Sequence, residues 1–410
     1  MAEQRKTRGA GKKRRKIRNY KTFNRILQGT IGTWLERNFN TTAENLEIFE
    51  RIKPPYFVMS THNCVFDPFM IADFVPAPIS YVVGDAAFRS PIMGWALGLV
   101  GSIPKTKAVS DSSTIKYIMD VKKRNGVIGV FPEGQSPWDG HSLPIVYSTA
   151  KLIKLLKIPV IIADKQGAFF SKPRWAKTKR KGRVTIRFQE GFTPEELKQS
   201  SADDLYKKLT DLLEHDEYEL QRRDMVRFEG KDRAEYLELA LFVCPECRSL
   251  STLRSEGDEL GCTRCGYRVR FNEYCFFEPV GGSTLHHDSI RSWNLWQTEF
   301  LNGYISRNGS GGRNTPIFTD EEIDAHTGYM TDPMVERGRG TLEFYADRIE
   351  FRGTEVEYSF PFPTIEGINV HENEKLEFYY EDTLYRFDSS DPRKSIYKWY
   401  LGVRLRQGGI

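Results

Sequence analysis

His62 and Asp67 stand five positions apart in the stretch His62-Asn-Cys-Val-Phe-Asp67-Pro68, and Phe131-Pro132-Glu133-Gly134 follows downstream. An imidazole with a carboxylate at this spacing can act as a general base held by an orienting acid. The carboxylate would accept from one ring nitrogen, fix the tautomer and stabilise the imidazolium, leaving the other nitrogen to take a proton. In Phe-Pro-Glu-Gly, the glycine lets backbone N–H groups come close to oxygen atoms, and the glutamate can accept from a hydroxyl or hold a cationic side chain. A second constellation is Cys244-Pro-Glu-Cys247 and Cys262-Thr-Arg-Cys265-Gly266, two Cys-x-x-Cys hooks with fourteen residues between them. Four thiolates at this spacing suit a structural zinc ribbon, and they leave no open coordination position for catalysis. Cys64 and Cys275 have no such partners and read as ordinary small buried residues.

These groups need rigid elements behind them. Tyr56–Ser60 reads as a buried strand and Asp67-Pro68 as a helix start, so His62 falls at a strand-to-helix corner. Further strands are expected at 79–84, 127–131, 158–163 and 183–188, with helices at 67–75, 90–99, 111–124 and 146–156. This alternation predicts an α/β layer structure with a mostly parallel central sheet flanked by helices. The stretch 194–223 reads as one or two polar-faced helices ending that unit. Beyond the ribbon, Ser289–Arg307 carries an aromatic stripe best read as core packing, and 308–314 is a Gly-rich loop. Strands at 341–345, 348–352, 356–361, 365–370, 375–380 and 383–388 then lead to a helix at 395–406. This β-rich region closed by a helix resembles a pleckstrin-homology or GRAM-like domain at the level of fold.

The His62–Asp67 and Phe131–Gly134 stretches are similar to those of the glycerol-phosphate and lysophosphatidate acyltransferases (PlsC-like). Two further blocks fit the resemblance, Gly101-Ser-Ile-Pro-Lys-Thr-Lys107 and Ile158-Pro-Val-Ile-Ile162. The likeness spans residues 20–225 and stops short of the C-terminal part. It implies an O-acyltransferase of phospholipid biosynthesis or remodelling. The acyl donor would be acyl-CoA or acyl-carrier protein, and the acceptor a lysophospholipid, by default 1-acylglycerol-3-phosphate. His62 would be the base, Asp67 its orienting acid, and Glu133, Gly134, Lys105 and Lys107 the acceptor site. Lys107 occupies the family's arginine position, and Gln135-Ser136-Pro137 replaces Thr-Arg-Ser after the third block. Lysine offers a point charge without arginine's bidentate fork, which leaves the head group open. Lys165 and the run Lys172–Lys181 could supply the missing charge, or the run could be a solvated basic loop. Phe66, Phe69, Met70, Phe74 and 88–99 are the candidates for an acyl slot. Two other readings use the same residues: a non-catalytic lipid- or nucleic-acid-binding scaffold, and a coenzyme-A-independent transacylase.

At 410 residues, with 39% hydrophobic and 13% aromatic content, the chain can build more than one core. The expected division is a basic tail (1–18), an acyltransferase domain with an N-terminal amphipathic helix (19–228), a zinc ribbon (238–279) and a helix plus β-rich domain (285–410). The net charge is only +5, but Lys12-Lys-Arg-Arg-Lys16 and Arg18 concentrate it in the tail. Asn19–Asn38 follows with apolar residues at helical spacing. A basic tail feeding an amphipathic helix suits an anionic membrane surface, and the same helix could simply pack on the core. The acyltransferase blocks argue against nucleic acid as a partner, and the C-terminal domains could recruit a protein. The first twenty residues lack a signal peptide's apolar core, and no apolar run reaches a membrane span. The segment 88–104 reads as a buried or membrane-touching helix. The paired cysteines point to metal in a reducing compartment. The expected location is cytoplasmic, peripheral on the cytoplasmic face of a membrane.

Overall fold

The structure, a computed structural model, describes residues 23, 28–105, 112–309 and 314–409. The basic tail at 1–18, residues 19–22 and 24–27 of the helix expected at 19–38, and Lys107 lie outside the described residues. The first half of the chain folds around a seven-stranded sheet with strands β1 (Thr41–Glu44), β2 (Tyr56–Met59), β3 (Ile79–Gly84), β4 (Ile103–Lys105), β5 (Val127–Val130), β6 (Val160–Gln166) and β7 (Val184–Phe192), ordered β1-β7-β6-β2-β5-β3-β4. Only the β6–β7 pairing is antiparallel, so β6, β2, β5, β3 and β4 end on one edge.

The central strands read as unbroken apolar runs because both faces are covered. Phe57 and Met59 point into a core shared with helices α4 (Ser112–Lys123), α5 (Ser148–Leu156) and α6 (Ala202–Leu213), through Ile118, Ile153 and Leu209. Tyr56 and Val58 point the other way, against Leu35 and Phe39 of α1 (Thr33–Phe39) and Met70 and Ile71 of α2 (Asp67–Phe74). The described part of the N-terminal helical segment therefore packs on the core, with Trp34 left half-exposed. Helix α3 (Pro91–Leu99) is not a core helix. It carries no charged residue, and Ile92 and Trp95 are 80% and 64% exposed. Among the described residues, no helix is long and apolar enough to cross a membrane.

Register brings the distant motifs together. Met59 of β2 lies opposite Val130 of β5 on one side and Ile162 of β6 on the other. His62, Glu133 and Lys165 each stand three residues beyond that row, at one level on three adjacent strands. Gly129 in β5 keeps the neighbouring strand's Tyr81 close, since a Cβ there would meet the tyrosine ring at 2.2 Å.

After helix α7 (Glu217–Asp224), the second half carries a four-stranded antiparallel sheet around the cysteines, β8 (Leu253–Glu256), β9 (Glu259–Cys262), β10 (Arg268–Phe271) and β11 (Phe277–Pro279). Helix α8 (Ile290–Gly309) and a seven-stranded antiparallel sheet ending in helix α9 (Tyr397–Arg406) follow. In that last sheet β12 (Phe318–Gly328) and the first half of β13 (Val335–Phe344) were not foreseen. The sequence of β12 is acidic, and its alternation is broken by a bulge between Asp320 and Ile323, where Glu322 takes a positive φ of 56°. One hydrophobic core joins Trp138, Phe169, Phe170 and Trp175 of the first half to the ribbon, α8 and the last sheet. The C-terminal half is thus packed on the first half, as one continuous core.

Candidate active site

Beyond β2, residues 60–66 form a loop without regular structure that ends where Pro68 opens α2. Asp67 is fully buried at the helix start, and its Oδ2 lies 2.9 Å from His62 Nδ1. The same oxygen accepts from the amides of Asn63 (2.6 Å) and Cys64 (2.9 Å), and Oδ1 accepts from the Cys64 thiol at 3.3 Å. Burial alone would raise the Asp67 pKa. The Lys165 ammonium, 3.9 Å from Oδ1, and the bond to His62 outweigh it and hold the carboxyl below its ordinary value. An ionised carboxylate only accepts, so the bond places the proton on Nδ1 and leaves a lone pair on Nε2 of the neutral ring. The His62 side chain is 26% exposed, and no group among the described residues hydrogen-bonds Nε2. The ring stacks on Phe131 at 4.7 Å, and Phe131 stacks on Tyr81 at 5.7 Å. This arrangement can take a proton from a group presented at Nε2.

Glu133 is brought beside His62, in a role the sequence reading did not anticipate. Its Oε2 accepts from the His62 amide and its Oε1 from the Leu143 amide, both at 2.6 Å. It therefore pins the base's backbone instead of holding a cation. Burial is the main reason its pKa is raised, against the lowering effect of these two amides. The Gly134 amide closes the turn onto Phe131 O at 3.1 Å, so it does not offer that N–H to a ligand, although the space around its Cα is open. Its positive φ of 72° explains the glycine. Lys105 is exposed at the end of edge strand β4. Three strand spacings, about 14 Å, separate β4 from β2, so Lys105 is not brought to His62.

Lys165 is fully buried beneath the loop, donating to Ser60 Oγ and Thr61 O at 2.6 Å each. It is unavailable to an incoming anion, and its charge serves Asp67. Glu217, which the sequence did not suggest, accepts from Asn63 Nδ2 (3.2 Å) and from the amides of Gly167 (2.7 Å) and Phe169 (3.1 Å). His215 bridges Asp164 (3.0 Å) and Glu217 (3.6 Å). Burial opposes its charge, yet the two carboxylates push its pKa up to about 10. Of the acyl-slot candidates, Met70 is core, Phe69 is exposed and Phe66 is half-buried.

The C-terminal sheet and its closing helix reach this edge. Gln135 donates to Tyr400 Oη at 2.7 Å, and Arg174 binds Ser136 O, Val370 O and Asn373 Oδ1 while stacking on Trp138. Arg89 joins buried Glu377 at 2.8 Å. Arg180 is buried as well, stacked on Trp175, so the 172–181 run is only partly a solvated loop.

Cys244, Cys247, Cys262 and Cys265 bring their sulfurs within 4.8 Å of one another and could hold a metal ion. The Cys244–Cys265 and Cys247–Cys262 separations are both 3.7 Å. A Zn–S bond of about 2.3 Å gives a tetrahedral edge of about 3.8 Å, which these two separations match. Gly266 follows the second hook with a φ of 78°, its amide bonded to Cys262 O at 3.0 Å.

Residues 39–162 match the family model described as Acyltransferase. Among solved structures, the chain is similar to the 1-acyl-sn-glycerophosphate (LPA) acyltransferase PlsC from Thermotoga maritima, with a TM-score of 0.41 and 17% identity over 49% of this chain and 78% of that one. No curated protein matches.

Two outcomes follow from this geometry. Lys165→Met leaves Asp67 as an uncompensated buried charge, so urea unfolding is expected to show a loss of about 3–5 kcal/mol; an unchanged midpoint would contradict the assigned pairing. Stripping metal with a chelator, or Cys262→Ser, is expected to lower the melting temperature, and metal analysis should return one ion per chain in the intact protein and less in the variant.

Proposed function

We propose that this protein, whose segment 39–162 is an acyltransferase-family segment, transfers a fatty acyl chain from acyl-CoA or acyl-carrier protein to the free hydroxyl of a lysophospholipid. 1-Acylglycerol-3-phosphate is the default acceptor. The observation that carries this reading is the His62–Asp67 bond of 2.9 Å with Nε2 open.

In the reaction, Nε2 of His62 takes the acceptor's hydroxyl proton as the oxygen attacks the thioester carbonyl carbon. The C–O bond forms, the C–S bond breaks, and the proton held by His62 passes to the departing thiolate. Asp67 compensates the imidazolium, and Lys165 keeps Asp67 ionised. A thioester is already activated, so the step needs neither an acyl-enzyme nor a catalytic metal. The four cysteines hold structural zinc, which ties the ribbon into the core it shares with both halves. Exposed Ile92, Met93 and Trp95 on charge-free α3, with Val65 on the motif loop, give the protein an apolar surface for peripheral contact with the membrane that supplies the acceptor. The cytoplasmic face is the location this reading implies.

The test is thiol release from acyl-CoA with a panel of lysolipids, comparing the native chain with His62→Gln. The rate is expected to fall by about 10²–10⁴-fold with the melting temperature unchanged. Full activity in the variant would end the mechanism. Absence of thiol release with every acceptor would favour the scaffold reading.

A further inference from the structure

The cleft beside the motif loop is lined by Trp34, Phe66, Lys172, Lys177, Thr178, Lys179 and Lys231, with a volume of about 490 Å³. Phe66 directly precedes Asp67, so one wall of this cleft is the loop that carries His62. Trp34 and Phe66 lie 5.3 Å apart and form an aromatic floor. Four ammonium groups surround it, and among the described residues only one meets a carboxylate: Lys177 pairs with Glu374 at 2.7 Å. Lys179 lies over the Trp34 ring at 4.6 Å and bonds the neutral Asn38 amide oxygen. Lys172 bonds the Ala176 carbonyl, and the Lys231 ammonium has no partner among the described residues. Burial, and then the like charges of Arg180 and Lys177, push the Lys172 pKa down to about 8, as expected where positive charge is crowded without a counterion.

Among the described residues, the candidate phosphate readers Gln135, Lys165 and Lys105 are occupied or distant, and Lys107 lies outside the described residues. Gln135 is tied to Tyr400 and Lys165 to Asp67. Lys105 ends the far edge strand. The lysine cleft lies on the opposite side of the sheet from β4, on the connection between β6 and β7. A phosphomonoester carries a charge of about −1.5 to −2, which Lys172, Lys179 and Lys231 can match. In an acylglycerol phosphate, one methylene and one ester oxygen separate the phosphorus from the carbon bearing the reacting hydroxyl. In coenzyme A the whole pantetheine arm separates the phosphates from the sulfur. A phosphate site that shares a wall with the motif loop therefore suits the acceptor.

We infer that the cleft between Trp34, Phe66 and the lysines 172, 179 and 231 binds the phosphate of the acceptor lysolipid, on the β6–β7 side of His62. This deepens the proposed function by assigning the acceptor's phosphate to this lysine cleft, and it rests on that reading for the word acceptor.

The test is equilibrium binding, by calorimetry, of hexanoylglycerol phosphate below its micelle concentration to the full chain carrying His62→Ala, so that turnover plays no part. Adding Lys179→Ala and Lys231→Ala is expected to weaken binding by about tenfold or more. Lys179→Arg with Lys231→Arg keeps the charge and should retain affinity, which separates charge loss from misfolding. Adenosine 3′,5′-bisphosphate, standing for the phosphates of coenzyme A, should bind equally to all variants. Equal affinity for hexanoylglycerol phosphate in every variant would overturn the inference. So would a selective loss of the bisphosphate. If thiol release fails but the binding pattern holds, the transfer reaction falls and the phosphate site stands.

Discussion

The contact on which the site depends is the buried ion pair of Lys165 and Asp67 beneath the loop at 60–66. Each charge alone would cost several kcal/mol to remove from water, and an ion pair is tolerated there only when its remaining hydrogen bonds are made. Here they are: Lys165 donates to Ser60 and Thr61, and Asp67 accepts from His62, Asn63 and Cys64. The loop cannot shift without stranding a charge. Glu133 and Glu217 add the same logic from two other segments, one holding the His62 amide and the other the Asn63 side chain. Four ionisable groups from four parts of the chain thus fix residues 60–64, and the product is an imidazole with one nitrogen bound and the other open.

The rest of the fold serves that loop at longer range. Parallel pairing of β2 with β5 and β6 sets His62, Glu133 and Lys165 at one level. The stack from His62 through Phe131 to Tyr81 depends on the missing side chain at Gly129. The C-terminal sheet and its closing helix cover the other side, through Tyr400 of the helix on Gln135, Glu377 of the sheet on Arg89 and the guanidinium of Arg174. The ribbon, whose four cysteines could hold a metal ion, contributes to the core that fastens this sheet in place.

What the sequence disclosed was local. His62 and Asp67 are one corner apart, and the cysteine hooks are one hairpin apart, so spacing alone carried their geometry. The central strands were legible because burial on both faces writes an unbroken apolar run. Lys165 reads in the sequence only as a cation, because its partner lies 98 positions away and is chosen by strand register. Glu217 and His215 gave no local signal for the same reason. Glu133 was found by its motif, yet its work on backbone amides depends on where Leu143 returns, which no spacing reveals. β12 hid behind its acidic residues and bulge. The lysine cleft was visible only as a charge run, since Trp34, Phe66 and Lys231 come from three separate segments.

The central claim is that Asp67 holds the proton on Nδ1 of His62 and leaves Nε2 basic. Nitrogen-15 NMR of histidine-labelled protein, with His62 assigned by its loss in His62→Gln, reads this tautomer directly. The account predicts a protonated Nδ1 and an unprotonated Nε2 in the neutral ring. A neutral ring with its proton on Nε2 would contradict it.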